Sequence, residues 1–80
     1  MSKIIYLRKA FKTLEAYDLN TRKRIIRGIE KIPQGDIKKL QGENYPPLYR
    51  LRIGKYRIIY NIENEDIVVA KIDTRGDIYK

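Results

Sequence analysis

Residues 49–60, YRLRIGKYRIIY, constrain the fold most, because only one strand pairing sorts their side chains cleanly. With Gly54-Lys55 as a two-residue turn, Ile53 pairs with Tyr56, Leu51 with Ile58 and Tyr49 with Tyr60. Those apolar and aromatic pairs share one face. The other face receives Arg52 opposite Arg57, and Arg50 opposite Ile59. A one-residue slip would mix the two sets, so the pattern selects this register. The apolar face must pack on something, and the arginines are left standing together on the open face.

Arginines directly across a strand pair repel, at a cost of roughly 0.2–1 kcal/mol. Folding alone does not call for such a pair. Fixed guanidinium groups on a rigid sheet suit phosphate recognition, since each planar fork can hold two oxygens. The structural alternative is neutralisation by acids such as Glu43, Asp73 or Asp77. The phosphate reading is favoured here, with Lys55 in the turn as a further phosphate-binding candidate.

The 80-residue chain is long enough for a single domain, spanning 1–80. It has no cysteine, which removes disulfides and thiolate zinc sites, and no histidine, the commonest general base. The lack of cysteine agrees with a reducing cytoplasm. No apolar run approaches the ~18 residues of a membrane span, and no signal-peptide core is visible at the N-terminus. The formal net charge of +8 points to an anionic partner. That charge is uneven. Residues 1–40 hold eleven Lys/Arg against four Asp/Glu, a net of +7, whereas residues 41–80 hold seven against six.

Along the chain, KIIYL (3–7) reads as a strand. RKAFKTLEAY (8–17) places Phe11, Leu14 and Ala10/Tyr17 at helical spacing. Asp18 or Asn20 offers an N-cap to a second helix over 21–32, whose apolar face is Ile25, Ile26, Ile29 and Ile32. Its polar face carries Arg24, Arg27 and Lys31, either a solvated stripe or a contact for an acidic partner. Residues 35–47 read as a connector anchored by Ile37 and Leu40, followed by strands near 48–53, 55–62 and 66–72. The fold class is therefore α+β, in the order β-α-α-β-β-β. Two N-terminal helices pack on one face of a mostly antiparallel four-stranded sheet. The last strand, DIVVAKI, is apolar on both faces. It suits the sheet interior and does not set its own register. It delivers Asp73, Arg75 and Tyr79 to the end of the sheet.

The stretches GDIKKLQG, YRLRIGKYRIIY and the closing DTRGDIYK, with its R-x-x-x-Y, together resemble the RelE/ParE superfamily of type II toxin–antitoxin toxins, most closely its RelE branch. The resemblance implies a microbial-RNase-like fold and metal-free, cofactor-free cleavage of mRNA in the ribosomal A site. It also implies an acidic, RelB-like antitoxin in a heteromeric complex. Arg57 matches the arginine that stabilises the phosphate in the transition state, Arg75 a basic position near the end of the last strand, and Tyr79 the C-terminal tyrosine. Arg50 and Arg52 fall where some relatives carry lysines. An arginine cannot serve as a base, with its pKa of about 12 or above, so these two act electrostatically and the general base is unassigned.

Three other readings compete. A ParE-like gyrase poison shares the fold and antitoxin binding without needing the Arg57, Arg75 and Tyr79 set. A non-enzymatic nucleic-acid-binding module would use the helix stripe. A metal-dependent nuclease would have to rest on Asp73 and Asp77.

Overall fold

The hairpin register follows the alternation residue by residue. In the computed structural model, which describes residues 3–40, 42 and 46–74, β3 (Tyr49–Ile53) and β4 (Tyr56–Glu63) are antiparallel. They pair Tyr49 with Tyr60, Leu51 with Ile58, Arg52 with Arg57 and Ile53 with Tyr56. Gly54 makes the turn at φ 59°, a conformation that a Cβ would strain. The full order begins with β1 (Ile4–Tyr6), α1 (Arg8–Ala16), α2 (Leu19–Glu30) and β2 (Asp36–Lys39), and it closes with β5 (Asp66–Thr74).

The sheet has five strands, in the order β1-β5-β4-β3-β2. This corrects the expected four. The supposed connector contains β2, which pairs antiparallel with β3 and aligns Ile37 with Leu51. Its four residues read polar–apolar–polar–polar, too brief a pattern to declare a strand without the partner it edges. The sheet is mixed, because β1 runs parallel to β5.

β5 lies between β1 and β4, as its two apolar faces require, and Ile67, Val68 and Val69 are all buried. A register shift beside Ile59/Tyr60 sets its phase: Ile72 pairs with Ile58, while Val69 pairs with Tyr60. Residues 69 and 72 are three apart and would face opposite ways in a regular strand. The extra residue brings both onto the helix side. Asn64 and Glu65, both at positive φ, turn β4 into β5.

Both helices pack on that side. Ala10 and Leu14 of α1 join Ile25 and Ile29 of α2 over Leu51, Ile58, Tyr60, Val69 and Ile72. Phe11 departs from expectation: it is 49% exposed. The inward line of α1 runs through Ala10, Leu14 and Tyr17, and Phe11 sits about 100° of helical turn away from Ala10. α2 begins two residues early, at Leu19, because Asp18, not Asn20, caps it, accepting from the Thr21 backbone N–H and the Thr21 hydroxyl. Gly28 lets α2 approach the sheet closely, since a Cβ there would run into the Ile53 side chain. No described helix is long and apolar enough to cross a membrane.

Candidate functional site: two basic surfaces

The open face of the sheet gathers its charges in rows. The pairing registers align Asp36 with Arg52, Arg52 with Arg57, and Arg57 with Asp73, one residue from each of four adjacent strands. The next row aligns Lys38, Arg50, Ile59 and Lys71. The two central arginines are thus flanked by one carboxylate on either side. Arg57 donates Nε to Asp73 Oδ1 at 3.2 Å and Nη2 to Oδ2 at 3.1 Å, a bidentate pair. Lys71 Nζ stands 3.7 Å from the same Oδ2. Across the sheet, Asp36 accepts from Arg52 Nε at 3.0 Å and from Arg50 Nη2 at 3.2 Å.

This arrangement corrects the view of a bare arginine cluster. Acids neutralise part of the face. Asp73 was one of the expected partners, but Asp36 was not, because it lies in the strand that read as a connector. Repulsion between Arg52 and Arg57 is offset on both flanks, so folding does tolerate the pair. In these two rows the five cations Lys38, Arg50, Arg52, Arg57 and Lys71 still outnumber the carboxylates of Asp36 and Asp73. Among the described residues, these two rows keep an excess of positive charge. Arg50 is the most enclosed of these three arginines, with 16% of its side chain exposed, and its buried Nε has no hydrogen-bond partner among the described residues.

Lys55 does not join this face. It sits at the hairpin tip with Nζ 5.5 Å from the centroid of Tyr56, a ring that packs against the helix-side core. Arg75 and Tyr79, together with Glu43 and Asp77, lie outside the described residues. Neither Tyr6 nor Tyr60 offers a base to the arginines. Burial, then the neighbouring Glu30, pushes the Tyr6 phenol up, and burial, then Tyr49, does the same to Tyr60. Both belong to the helix-side core.

A second basic surface lies along α2. Asn20, Lys23, Arg24, Arg27, Gly28, Lys31 and Ile53 line an open groove of about 510 Å³. The stripe Arg24, Arg27 and Lys31 is therefore a wall of this groove, with Ile53 and the bare backbone of Gly28 below it. Arg24 folds over the hairpin turn, close enough that a Cβ on Gly54 would lie 2.9 Å from its Nη2. Among the described residues none of Lys23, Arg24, Arg27 and Lys31 forms an ion pair. Lys23, one position before the expected stripe, is the addition the structure makes.

A family model for the "ParE toxin of type II toxin-antitoxin system, parDE" matches residues 4–79. The chain belongs to the RelE/ParE superfamily of type II toxins. A Methanocaldococcus jannaschii protein named "Putative toxin RelE1" is 35% identical over 78 residues, which cover 90% of this chain and 84% of that protein. The toxin is also similar to the crystal structure of the archaeal RelE-RelB complex from Pyrococcus horikoshii, with a TM-score of 0.75 and 28% identity over 94% of this chain and 96% of that one. The RelB-RelE antitoxin-toxin complex from Methanococcus jannaschii gives a TM-score of 0.73 at 28% identity, covering 94% of each chain. The two helices on a mixed five-stranded sheet are the RelE-like fold.

Proposed function

We propose that this toxin is a ribosome-dependent endoribonuclease that cleaves mRNA in the A site and so inhibits translation. The observation that carries this reading is the convergence of Arg50, Arg52, Arg57 and Lys71 on one rigid sheet face with charge to spare. RNA brings its own nucleophile, the 2′-hydroxyl beside each phosphate. Cleavage needs that hydroxyl held in line and the added charge on the phosphorane stabilised. Arg57 supplies the stabilisation, Arg50 and Arg52 hold the flanking backbone, and Arg75 and Tyr79 complete the catalytic set. Tyr79 either moves a proton or stacks on a base. The products are a 2′,3′-cyclic phosphate and a 5′-hydroxyl. The chemistry proposed needs no metal or cofactor. With no histidine in the chain and Asp73 held by two cations, alignment by the ribosome carries much of the acceleration. A toxin acting on translating ribosomes works in the cytoplasm.

The partner proposed is an acidic RelB-like antitoxin, supported by similarity to toxins crystallised with RelB. Its acidic segment meets the cations of the α2 groove. A ParE-like attack on DNA gyrase is the second reading, favoured by the name of the matching family model.

A translation extract separates the two. A RelE-like toxin arrests protein synthesis and leaves codon-spaced cuts in ribosome-bound mRNA, with naked RNA cut slowly. Intact translation accompanied by DNA breaks refutes the endoribonuclease reading in favour of the gyrase one.

A further inference from the structure

We infer that Asp36, on the edge strand β2, is a positioning residue of the sheet site: its carboxylate bridges Arg50 and Arg52 and holds Arg52 by the inner nitrogen of its guanidinium, with the terminal amino groups turned to a phosphate. The inference deepens the phosphate-binding reading of this face and rests on it.

β3 sends Arg50 and Arg52 to the same face two residues apart, so two like charges stand side by side. Asp36 lies opposite Arg52 in the β2–β3 register and diagonal to Arg50, which is paired with Lys38. Both the direct and the diagonal neighbour are within reach of long side chains. The carboxylate divides its oxygens between them: Oδ2 accepts from Arg52 Nε at 3.0 Å, and Oδ1 from Arg50 Nη2 at 3.2 Å.

The two arginines are gripped differently. Arg50 is the inner one, with 16% of its side chain exposed against 34% for Arg52, and it is held by a terminal nitrogen. Arg52 is held at Nε, the root of the guanidinium. Its Nη1 and Nη2 carry four N–H donors, and none of them bonds to a described residue. That outer edge of the fork is one that takes two phosphate oxygens at once. Arg57, on the far side of Arg52, is turned to Asp73 and offers Arg52 only its own positive charge. Among the described residues, Asp36 is therefore the sole acid holding Arg50 and Arg52. Without it the enclosed Arg50, whose Nε already has no described partner, would swing toward water and contest the space of Arg52. Two arginines and one carboxylate sum to one positive charge, so the bridge orients the group without cancelling it.

Positioning and simple neutralisation predict different kinetics. Asp36→Ala adds one positive charge to the face. If the carboxylate only neutralises, KM for ribosome-bound mRNA falls and kcat holds. If it positions Arg52, kcat drops by about tenfold while KM stays level or falls. Asp36→Asn keeps the shape of the side chain and shows the same split, smaller, which decides the matter if Asp36→Ala is unstable. Glu15→Gln adds the same charge at an exposed position of α1, away from this face, and leaves kcat unchanged. In an Arg52→Lys background, where no fork remains to be held, Asp36→Ala costs little further kcat. A kcat that holds in both aspartate variants, an equal loss in Glu15→Gln, or full additivity of Asp36→Ala with Arg52→Lys overturns the inference.

A second readout is independent of catalysis. In the free toxin, the Arg52 Nε–H resonance exchanges slowly with water in the wild type and rapidly in Asp36→Ala. Equal exchange in the two proteins overturns the bridge even where no mRNA is cut. Absence of cutting by the wild type overturns the proposed endoribonuclease activity instead and leaves this arm to decide.

Discussion

The toxin carries two cationic surfaces that look alike in composition and differ in how their charge is held. On the sheet, Arg50, Arg52 and Arg57 are tied to Asp36 and Asp73, in register and partly enclosed. Along α2, Lys23, Arg24, Arg27 and Lys31 line a groove with no carboxylate in its lining. The paired cations give up long-range field and gain fixed orientation. Those with no ion pair among the described residues keep their field and their side-chain freedom. On the proposed reading, the first property suits chemistry on a phosphate, where a guanidinium must be in place before charge develops. The second suits the proposed encounter with an acidic antitoxin, where potential steers a charged partner and salt weakens it.

The largest test of this contrast is Arg57→Ala. Mutation of a preorganised oxyanion donor costs about 100- to 1000-fold in kcat, and we expect a loss of that order in translation arrest by the toxin. Stability falls only slightly, because Lys71 remains beside Asp73; thermal unfolding checks this. Full toxicity at equal expression would remove Arg57 from the site, and an unfolded variant would make the row structural.

Next, Arg24, Arg27 and Lys31 changed together to Gln leave the thermal midpoint nearly unmoved, since no described ion pair is broken. Binding of an acidic antitoxin weakens by about tenfold or more at low salt, and its salt dependence flattens. Titrations at two ionic strengths measure both. Unchanged affinity and slope would deny the groove its steering role.

Asp36→Ala probes the sheet from the other side. It releases Arg50 and Arg52, whose pairs with Asp36 are half exposed on the acid's side, so the cost to stability is about 1 kcal/mol or less. Denaturant midpoints resolve it. A larger loss would show the row to be a mainstay of the fold.

The smallest effect falls on the helix that bears the groove. The Thr21 hydroxyl, then the Thr21 backbone N–H, hold the Asp18 carboxyl below the usual aspartate range. A depressed folded-state value stabilises above the unfolded-state pKa, and the contribution fades as pH falls through the folded-state value. Asp18→Ala should therefore lower stability slightly at neutral pH and make no difference in strong acid. Far-ultraviolet circular dichroism during denaturation at both pH values checks the sign.

How much of this was legible beforehand differs from element to element. The β3–β4 register was, because alternation with period two admits one solution when a turn is marked by Gly54. The α2 stripe was too, since Ile25 and Ile29 set the helical phase and place Arg24, Arg27 and Lys31 opposite. Phe11 misled, because an aromatic side chain one position from the buried line scores as core in any apolar pattern. β2 was missed because a four-residue edge strand takes its identity from its neighbour.

The sequence by itself determined the α+β class, the arginine face and the superfamily, all of them carried by local periodicity or contiguous motifs. Only the tertiary structure decided what those arginines touch. Asp36 lies 16 residues before Arg52, and Asp73 lies 16 after Arg57. Neither separation encodes a contact, because each depends on how the sheet lays its strands side by side. The phase of β5 was decided the same way. An apolar strand fits either face, and it took the register shift beside Tyr60 to bring Val69 and Ile72 onto the core side while leaving Asp73 beside Arg57.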